Sequence, residues 1–535
     1  MAKVLNTRLY NTFYYDFIQR TEQPLKYLPP FDFQPLTDVG ARIGSETAIH
    51  KEVKKILADQ NTGYDSGKAK QYISTLSDPK TMVIITGQQL GFLLSPIYTV
   101  FKAVTTVKLA EQLNQLETGF NFIPVFWLET EDHDFEEIRH AGVWDTEMKP
   151  VRISYEGHEF ERRPVRLYQL EDNIGEVIAK LQSELLETEF SPDLFNKLRS
   201  WYVPGMSWTE ATRKLFRDLF ADTGLLFFEP GTAAVKKTGA EFFGSWFDRI
   251  KSVIGAFRST TGRIESDGYP VQVPDIPGKT YVHYEDDNLE RQHIYFEDDR
   301  FYLKNSPLSW SLTEMRGVLE KESERFSAAV ISRPVLQSWL LPVAGYVAGP
   351  SEIAYWAQLG QTFREMDIPF PVVYPRITAT LLEPRIERFI SRHNVNLTDA
   401  SPKMKDFIDR HFEQNRFDKD RFRKWRDNID QIFSEISGYI VNVDPTLRSV
   451  AEKTGERVGS QIDHLETRLL RAVEEKENTL IGHLEQIHTS VFPLEQPQER
   501  FASIVYYLNK FGPDFLTRLM TQLQPDPANH QIVSL

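Results

Sequence analysis

The sequence predicts an α/β protein that continues into a helical arm, and two patterns support this prediction. Up to about residue 384, short apolar runs alternate with stretches of helical periodicity, which is typical of a sheet covered by helices. After Pro384 the apolar runs disappear and long charged helical stretches follow. We therefore expect a core at residues 1–384, a helical coiled-coil arm at residues 385–493, and a helical segment at residues 494–535 that packs on the core.

Composition excludes several classes of function. The chain has 535 residues, enough for more than one domain, and 41% of them are hydrophobic. Its formal net charge of −14 argues against a broad phosphate-binding surface, so we expect no nucleic acid partner. The absence of cysteine excludes disulfides, thiolate metal sites and a cysteine nucleophile.

The apolar runs also predict where in the cell the protein is found. The first residues, MAKVLNTRLYNTFYYDFIQR, lack the uninterrupted apolar core of a signal peptide. Nowhere in the sequence do eighteen apolar residues follow one another, as a membrane-spanning helix requires. We therefore expect a cytoplasmic protein with no membrane partner.

The stretch MVIITGQQLGFLLSPIYTVFKAV, residues 82–104, contains the first strand-and-helix unit. A β-branched run ends at Gly87, and Ser95 and Pro96 suit the cap and first position of a helix. The apolar face of that helix would pack on the sheet and leave Lys102 in solvent. The turn lacks both standard phosphate-binding motifs, so an anion-binding turn and an ordinary connection remain alternatives.

Further apolar runs are predicted strands, and one interval differs from the rest of the core. The strands are predicted at residues 123–128, 225–228, 340–347 and 372–374. Residues 268–304 combine strand-forming residues with turns, which indicates antiparallel hairpins. We expect a β-rich insertion near residues 241–327 that shapes the substrate site.

Polar residues directly after these strands form the predicted site, because ligands of open parallel sheets bind beyond the carboxyl ends of strands. In ETEDHDFEEI, His133 lies among acids that include Asp134. A histidine there suits proton transfer or phosphate contact, and the acids suit Mg²⁺ or a substrate amine. The acids would equally favour the start of a helix through its dipole. We expect one pocket that contains Gln88, His133 and Gly349.

Two more turns extend the predicted site. In VAGYVAGPSEIAYWAQL, Gly349 begins a turn that leads from a strand into a helix. Glu352 suits an amine ligand or the first helical turn, and Tyr355 suits a ligand contact or the core. Arg376 follows a strand, where a guanidinium would clamp phosphate or carboxylate, or else pair with a nearby acid.

The arm is predicted as a hairpin of two long helices that reverses at Pro445. The first apolar stripe contains Phe422, Trp425, Ile429, Ile432, Ile436 and Ile440, and the second contains Leu447, Val450, Val458, Ile462, Leu465, Leu469, Val473, Leu480, Leu484 and Ile487. The second helix would be about 60 Å long. Because the shorter first helix would not cover the whole second stripe, we expect a homodimer through the arm, with a self-contained bundle as the alternative.

Several motifs in order resemble the BshC family, the cysteine-adding enzymes of bacillithiol biosynthesis. The motifs are ITGQQLGFLLSPIYTVFKA, PVFWLETEDHDFEEI, SRPVLQSWLLPVAGYVAGPSEIAYWAQL and VVYPRITATLLE, and the resemblance extends from NTFYYDFI to QERFASIVYYLNKFG. Ser95 departs from the family, which often has glycine before this proline. The resemblance implies a Rossmann-like core with insertions, similar to class I aminoacyl-tRNA synthetases and nucleotidyltransferases, plus a C-terminal helical coiled-coil domain.

The resemblance also implies the last step of the pathway, the joining of L-cysteine to the amine of glucosaminyl malate. The cysteine carboxylate needs activation, most simply by ATP, as an adenylate or as an acyl phosphate. Mg²⁺ is a further candidate, whereas no tightly bound cofactor and no protein metal site are expected. A nucleotide-binding regulatory module and a dimeric scaffold are the alternatives to an enzyme.

The resemblance and the strand ends together define the predicted site residues. His133, Asp134 and Arg376 are the candidate catalytic residues. The candidates for substrate or nucleotide binding are Thr86, Gly87, Gln88, Gln89, Ser95, Tyr98, Gly349, Pro350, Ser351, Glu352 and Tyr355. In these roles His133 contacts phosphate or moves protons, Asp134 and Glu352 hold an amine or a metal, and Arg376 holds an anion.

Overall fold

The computed structural model describes residues 3–5, 9–43, 48–63, 67–157, 162–304, 306–398, 400–413 and 420–535. The chain divides into two compact units. The first, which we call the core, comprises Met1–Leu381 and Pro497–Val533. The second, which we call the arm, comprises Leu382–Gln496 and Ser534–Leu535. The predicted arm boundaries at 385 and 493 lie close to these limits.

The strands are short and most belong to the core. They are β1 (Lys3–Leu5), β2 (Thr81–Gln89), β3 (Asn121–Glu129), β4 (His140–Trp144), β5 (Pro150–Ser154), β6 (Leu226–Phe228), β7 (Lys279–Glu285), β8 (Arg291–Glu297), β9 (Arg300–Leu303), β10 (Ser309–Trp310), β11 (Phe326–Ala328), β12 (Val343–Ala348), β13 (Val372–Pro375), β14 (Ala379–Leu382) and β15 (His530–Ser534).

The helices connect and cover these strands. They are α1 (Thr12–Ile18), α2 (Phe33–Ile43), α3 (Ala48–Gln60), α4 (Gly67–Thr75), α5 (Tyr98–Gln115), α6 (Phe135–Ile138), α7 (Ile174–Glu184), α8 (Ser191–Trp201), α9 (Trp208–Leu219), α10 (Ala233–Asp248), α11 (Ile250–Ser266), α12 (Leu312–Glu322), α13 (Ser332–Leu340), α14 (Pro350–Trp356), α15 (Gly360–Glu365), α16 (Pro384–His393), α17 (Met404–Glu413), α18 (Asp420–Val443), α19 (Arg448–Val491), α20 (Ile504–Phe511) and α21 (Phe515–Gln522). The last two helices belong to the core.

A parallel sheet lies at the centre of the core, with strand order β13-β12-β2-β3-β6. Its two long central strands are almost continuously buried, which explains their unbroken apolar sequence. The α/β class is confirmed. One boundary differs from the prediction, because β2 does not end before Gly87 but continues to Gln89, which pairs with Glu129 of β3. The predicted turn at residues 86–89 is therefore the carboxyl end of a strand.

Helix α5, which follows β2, also differs from its predicted form. It begins at Tyr98, whereas Ser95 follows a short 3₁₀ helix, Phe92–Leu94, and caps nothing in α5. Nearly every side of α5 is buried, and Lys102 is only 2% exposed. The prediction that Lys102 lies in solvent is wrong, because α5 is enclosed by the core rather than lying on its surface.

The inserted segment contains a five-stranded antiparallel sheet with order β10-β9-β8-β7-β11, which we call the inserted sheet. The hairpins predicted at residues 268–304 are present as β7, β8 and β9. The predicted start of the β-rich region near residue 241 is wrong, since α10 and α11 occupy residues 233–266. Two smaller sheets, β1-β15-β14 and β4-β5, complete the strands of the described residues.

The arm contains the predicted helical hairpin. Helix α18 packs on α19, and a 3₁₀ turn at Pro445–Leu447 joins them. Within the arm, α16 and α17 also contact α19, and Leu484 and Ile487 of the second stripe are fully buried. This end of the stripe is therefore covered without a partner. The side chains of Phe422 and Val473 lie outside the described residues.

Much of the remaining stripe is exposed. Trp425 and Ile432 of α18 are 49% and 53% exposed, and Val450 and Leu465 of α19 are 58% and 56% exposed. Beside the first stripe, Tyr439 and Val443 are 73% and 71% exposed. Among the helices that the structure describes, none is long and apolar enough to cross a membrane.

Candidate active site

A cleft of about 590 Å³ opens at the carboxyl ends of the parallel strands in the core. Gln88 and Gln89 end β2, Glu129 ends β3 and Gly349 follows β12, and all of them line the cleft. His133 lines it from the segment after β3. The predicted pocket that contains Gln88, His133 and Gly349 is therefore confirmed, because parallel strands bring their carboxyl ends to one edge of the sheet.

Most of the predicted site residues line this cleft. They are Gly87, Gln88, Gln89, Tyr98, His133, Gly349, Pro350, Ser351, Glu352, Tyr355 and Arg376. Their shared position follows from their place after strands of one parallel sheet.

Thr86, Ser95 and Asp134 do not line the cleft, so the structure corrects their prediction as ligand contacts. Thr86 is fully buried in β2, and its hydroxyl donates to the Val347 carbonyl at 2.8 Å. The buried Ser95 Oγ lies 3.4 Å from the Phe501 carbonyl. Asp134 caps the short helix α6 and lines a neighbouring depression instead. These polar side chains are occupied by the local structure, as buried or capping groups usually are.

Lys102 is a cleft residue that sequence reasoning missed. Its ammonium donates to the Gly87 carbonyl and to Gln88 Oε1, both at 2.8 Å, and lies 2.5 Å from Glu352 Oε2. Burial lowers the pKa of Lys102, and the charge of Glu352 opposes that shift. Its position one helical turn after Tyr98 was the available signal, because residues four apart share one face of a helix.

Glu352 is held on both oxygens. The Tyr346 hydroxyl donates to Oε1 at 2.7 Å, and the Gly349 amide donates to Oε2 at 2.7 Å, beside Lys102. Burial alone would raise the pKa of Glu352, but Lys102 and these hydrogen bonds outweigh burial and lower it. Of the two predicted roles, the structure shows Glu352 as a residue of the first turn of α14, where it also orients Lys102.

Arg333 forms a second ion pair on the same wall, with a buried carboxylate. Its guanidinium donates to Glu129 Oε2 at 3.1 Å and to the Tyr355 hydroxyl at 2.9 Å. Burial raises the pKa of Glu129, and the charge of Arg333 offsets only part of that effect. The buried Nε of Arg333 has no hydrogen-bond partner in the described structure. Arg333 lies in one of the quoted motifs, but its partner Glu129 is 204 residues away.

Arg376 is held by a carboxylate near the end of the chain. Its two terminal nitrogens donate to Glu499 at 3.0 and 2.5 Å, and Glu499 also accepts from the Tyr10 hydroxyl at 2.7 Å. Both partners are almost fully buried. Arg376 lines the cleft, and its buried Nε has no hydrogen-bond partner in the described structure. Of the predicted alternatives, the structure shows the salt bridge.

Three histidines surround Arg291 of β8. Arg291 donates to His133 Nδ1 at 3.1 Å and to His283 Nδ1 at 3.0 Å. Because a guanidinium only donates, both Nδ1 atoms must be unprotonated acceptors and the hydrogen of each ring lies on Nε2. The His293 ring stacks on His283 at 4.1 Å. In this arrangement His133 offers an N–H to the cleft and is a hydrogen-bond donor rather than a base.

The pKa values of these histidines agree with neutral rings. Burial, followed by the charge of Arg291, lowers the pKa of His133 and lowers that of His283 well below its usual value. Burial and Lys279 lower the pKa of His293 to about 3. At neutral pH the cleft therefore presents uncharged imidazoles beside a permanent cation.

The cleft carries more cations than carboxylates, although the chain as a whole is acidic. Its lysines and arginines are Lys102, Lys279, Arg291, Arg333, Arg376 and Arg500, whereas its carboxylates are Glu129, Asp132, Glu137 and Glu352. No carboxylate of the described chain forms an ion pair with Lys279 or Arg500. Such a lining favours small anionic ligands.

A buried ring of charges holds the inserted sheet against the rest of the core. Glu131, which follows β3, accepts from Arg166 at 2.9 Å, and its Oε2 lies 2.9 Å from the ammonium of Lys236. Glu285 at the end of β7 pairs with the same two cations. The ring thus ties the segment that carries His133 to the strand that carries His283, and fixes the distance between the two sides of the cleft.

No metal cluster is evident in the part of the chain that the structure describes: no three His, Asp or Glu side chains there are arranged to hold an ion.

Comparison with known proteins assigns both units of the chain to one family. Residues 2–377 match the family described as "Bacillithiol biosynthesis BshC, N-terminal Rossmann-like domain". Residues 379–535 match "Bacillithiol biosynthesis BshC, C-terminal coiled-coil domain". The boundary between the two matches lies close to Leu381, where the first part of the core ends, whereas the second match also covers Pro497–Val533 of the core.

Individual relatives match over nearly their whole length. A protein of Bacillus licheniformis named "Putative cysteine ligase BshC" is 30% identical over 496 residues, covering 92% of each chain. A protein of the same name from Salinibacter ruber is 30% identical over 518 residues, covering 95% of this chain and 93% of the relative. One from Bacillus cytotoxicus is 28% identical, covering 94% of this chain and 95% of the relative.

Proposed function

This chain belongs to the BshC family of bacillithiol biosynthesis, and we propose that it is a ligase that joins L-cysteine to the amine of glucosaminyl malate. The observation that carries this proposal is the cleft at the carboxyl ends of the parallel strands, whose cations outnumber its carboxylates. Both proposed substrates carry carboxylates, and a nucleotide adds phosphates. The lining suits this set of small anions.

Amide formation needs an activated carboxylate, which we propose is made with ATP. If the cysteine carboxylate attacks the α-phosphorus, cysteinyl adenylate forms and pyrophosphate leaves; if it attacks the γ-phosphorus, an acyl phosphate forms and ADP leaves. The sugar amine then attacks the activated carbonyl, a C–N bond forms, and AMP or phosphate departs. Mg²⁺ would accompany the nucleotide, held by its phosphates rather than by a protein cage.

The buried arginines supply fixed donors for these anions. Arg333 and Arg376 both line the cleft, and each is held in place by a buried carboxylate. Groups that are already ordered lose little entropy when a ligand binds. We propose that these two side chains orient the carboxylates or phosphates at the reacting centre.

Proton removal is assigned to carboxylates rather than to His133. The amine enters as an ammonium and must lose a proton before it attacks. His133 has its Nδ1 occupied by Arg291, whereas burial raises the pKa of both Glu129 and Glu137, which line the cleft. A carboxylate with a raised pKa is a better proton acceptor near neutral pH.

We further propose that the chain is a homodimer through the arm. The support is the exposed apolar row on α18 and α19, which includes Ile432, Tyr439, Val443 and Leu465. A contiguous apolar surface on one monomer is usually covered by a partner, and a two-fold pairing of arms covers it without open-ended assembly.

The test of the enzymatic proposal is product formation by the purified protein. Incubation with L-cysteine, glucosaminyl malate and ATP should yield the amide, followed by mass spectrometry, together with AMP or ADP according to the activation route. Arg333→Gln should reduce the rate about a hundredfold or more, because a fixed donor at the reacting centre is lost. Arg364→Gln, an exposed arginine on α15, is the matched control and should change nothing.

The opposite outcome has a clear meaning. If the wild-type protein makes no amide while melting normally, the chain is not a self-sufficient ligase. A nucleotide-binding regulatory module would then still bind ATP, whereas a dimeric scaffold would tolerate Arg333→Gln in a cell-based bacillithiol assay.

A further inference from the structure

The inserted sheet presents a distinct face to the cleft, made by Lys279, His283, Arg291 and His293. We call these four residues the inserted wall. They lie on the adjacent strands β7 and β8, and His283 and His293 are directly paired across them. The inserted wall faces a cleft whose other side is built from the ends of the parallel strands.

The two sides of the cleft differ in how their cations are neutralised. Among the other cations of the cleft, Lys102, Arg333 and Arg376 are each within 3.1 Å of a carboxylate oxygen, whereas Arg500 has no such pair with the described residues. On the inserted wall, the nearest carboxylate to Arg291 is Asp132 at 3.6 Å, and Lys279 has no ion pair with the described residues. The inserted wall therefore has positive charge that the protein does not balance.

The hydrogen bonds of the inserted wall are also incomplete. Arg291 donates to Ser327 Oγ, to the Ala328 carbonyl and to two histidine Nδ1 atoms, so all of these hydrogen-bond partners are neutral. His283 is 95% buried, its exposed fraction being 5%. Its Nε2, which must carry the hydrogen, has no partner in the described structure. A buried N–H without an acceptor is unfavourable, and a ligand oxygen would satisfy it.

From this geometry we propose that the inserted wall is the binding subsite for an oxyanion of one substrate, a phosphate or a carboxylate group. Lys279 supplies the charge, and the N–H of His283 supplies a directed hydrogen bond. The neutral imidazoles suit this role, because they donate without adding more repulsion beside Arg291. The proposal deepens the proposed function and rests on it for the two sources of such an oxyanion: the nucleotide phosphates and the malate carboxylates.

The test measures binding of two probes, ATP and L-malate, by calorimetry at low salt. Lys279→Gln removes the unbalanced charge from a half-buried side chain that has no ion pair with the described residues and whose ammonium lies 5.5 Å from the centre of the Tyr281 ring, so the variant should fold. It should weaken one of the probes about tenfold, the loss typical of one charged hydrogen bond. Lys321→Gln, an exposed lysine of α12 in the same inserted segment, is the matched control and should bind both probes like the wild type.

Each outcome decides the proposal. Weaker binding of ATP alone identifies the oxyanion as phosphate, and weaker binding of L-malate alone identifies it as carboxylate. Unchanged binding of both probes by Lys279→Gln, or no binding of either probe by the wild type, overturns the proposal. The product assay separates this result from the proposed function. If the wild type makes product and Lys279→Gln binds both probes normally, only the subsite is refuted. If Lys279→Gln loses binding but the wild type makes no product, only the ligase function is refuted.

Discussion

The core and the arm depart from ordinary protein surfaces in opposite ways. In the core, charged side chains such as Lys102 and Glu499 are buried at 2% and 0% exposure. In the arm, large apolar side chains such as Tyr439 and Val443 are more than two thirds exposed, at 73% and 71%. Soluble proteins normally expose the first kind of residue and bury the second. The two departures support the two proposals, a small-molecule site in the core and a self-association surface on the arm.

The ion pairs show the same contrast. Arg376 and Glu499 in the core have side-chain exposures of 3% and 0%. Arg426 and Asp463 in the arm, which join α18 to α19, are 32% and 62% exposed. A buried pair is strongly destabilising to break, because the remaining charge has neither water nor a partner, whereas an exposed pair contributes little. Ion pairs are therefore expected to matter strongly for the stability of the core and only weakly for that of the arm.

The largest expected effect is the loss of the buried pair in the core. Arg376→Ala should lower the free energy of unfolding by about 3–5 kcal/mol, because Glu499 is left buried and unpaired. Arg426→Ala in the arm should lower it by about 1 kcal/mol or less. Urea denaturation of the two variants checks this, and equal losses would mean that the core pair is not as dehydrated as its geometry indicates.

A double variant separates stability from function at the same site. Arg376→Met with Glu499→Leu should recover most of the lost stability, since replacing both partners of a buried pair by apolar groups is often neutral. Its ligase activity should stay about a hundredfold below that of the wild type if the guanidinium holds a substrate anion. Full activity in this stable variant would show that Arg376 has only a structural role.

The next effect concerns the arm and is a change of assembly. Leu465→Lys with Leu469→Lys should convert a dimer of 62.1 kDa chains into monomers, because an ammonium in an apolar interface is strongly disfavoured. Light scattering measures the mass. Ser460→Lys with Thr467→Lys, on the opposite face of α19, is the control and should remain dimeric. A wild-type mass of a single chain at micromolar concentration would refute the dimer and leave a self-contained arm.

The smallest effect is a pH dependence that belongs to the core. Burial, then Lys279, lowers the pKa of His293 from its unfolded value of 6.5 to about 3, so the unfolded chain binds the extra proton. His293 therefore costs no stability above pH 6.5. The free energy of unfolding falls as the pH drops from 6.5 toward 3, because only the unfolded chain takes up this proton. Between pH 7 and pH 5.5, His293→Gln should lose less unfolding free energy than the wild type. The difference should be at most about 1 kcal/mol, since solvent partly screens the ring. Denaturation at both pH values measures it, and identical losses would show that this histidine does not titrate on unfolding.

The sequence by itself determined the elements whose pattern is local. The runs at residues 123–128, 225–228 and 372–374 became β3, β6 and β13, and the two apolar stripes became α18 and α19. Strand and helix periodicity depend on neighbours a few residues apart, so the sequence shows them directly. The place of the cleft also followed, because parallel strands share one carboxyl edge.

Only the tertiary structure decided which charges meet in the cleft. Arg333 reaches Glu129 across 204 residues, Arg291 reaches His133 across 158, and Arg376 reaches Glu499 across 123. No local pattern encodes such pairs. Lys102 is the clearest case: on an isolated amphipathic helix it lies on the polar face, but the core encloses α5 on nearly every side. Its burial, and with it the charge of the cleft, depends on what packs around the helix rather than on the helix itself.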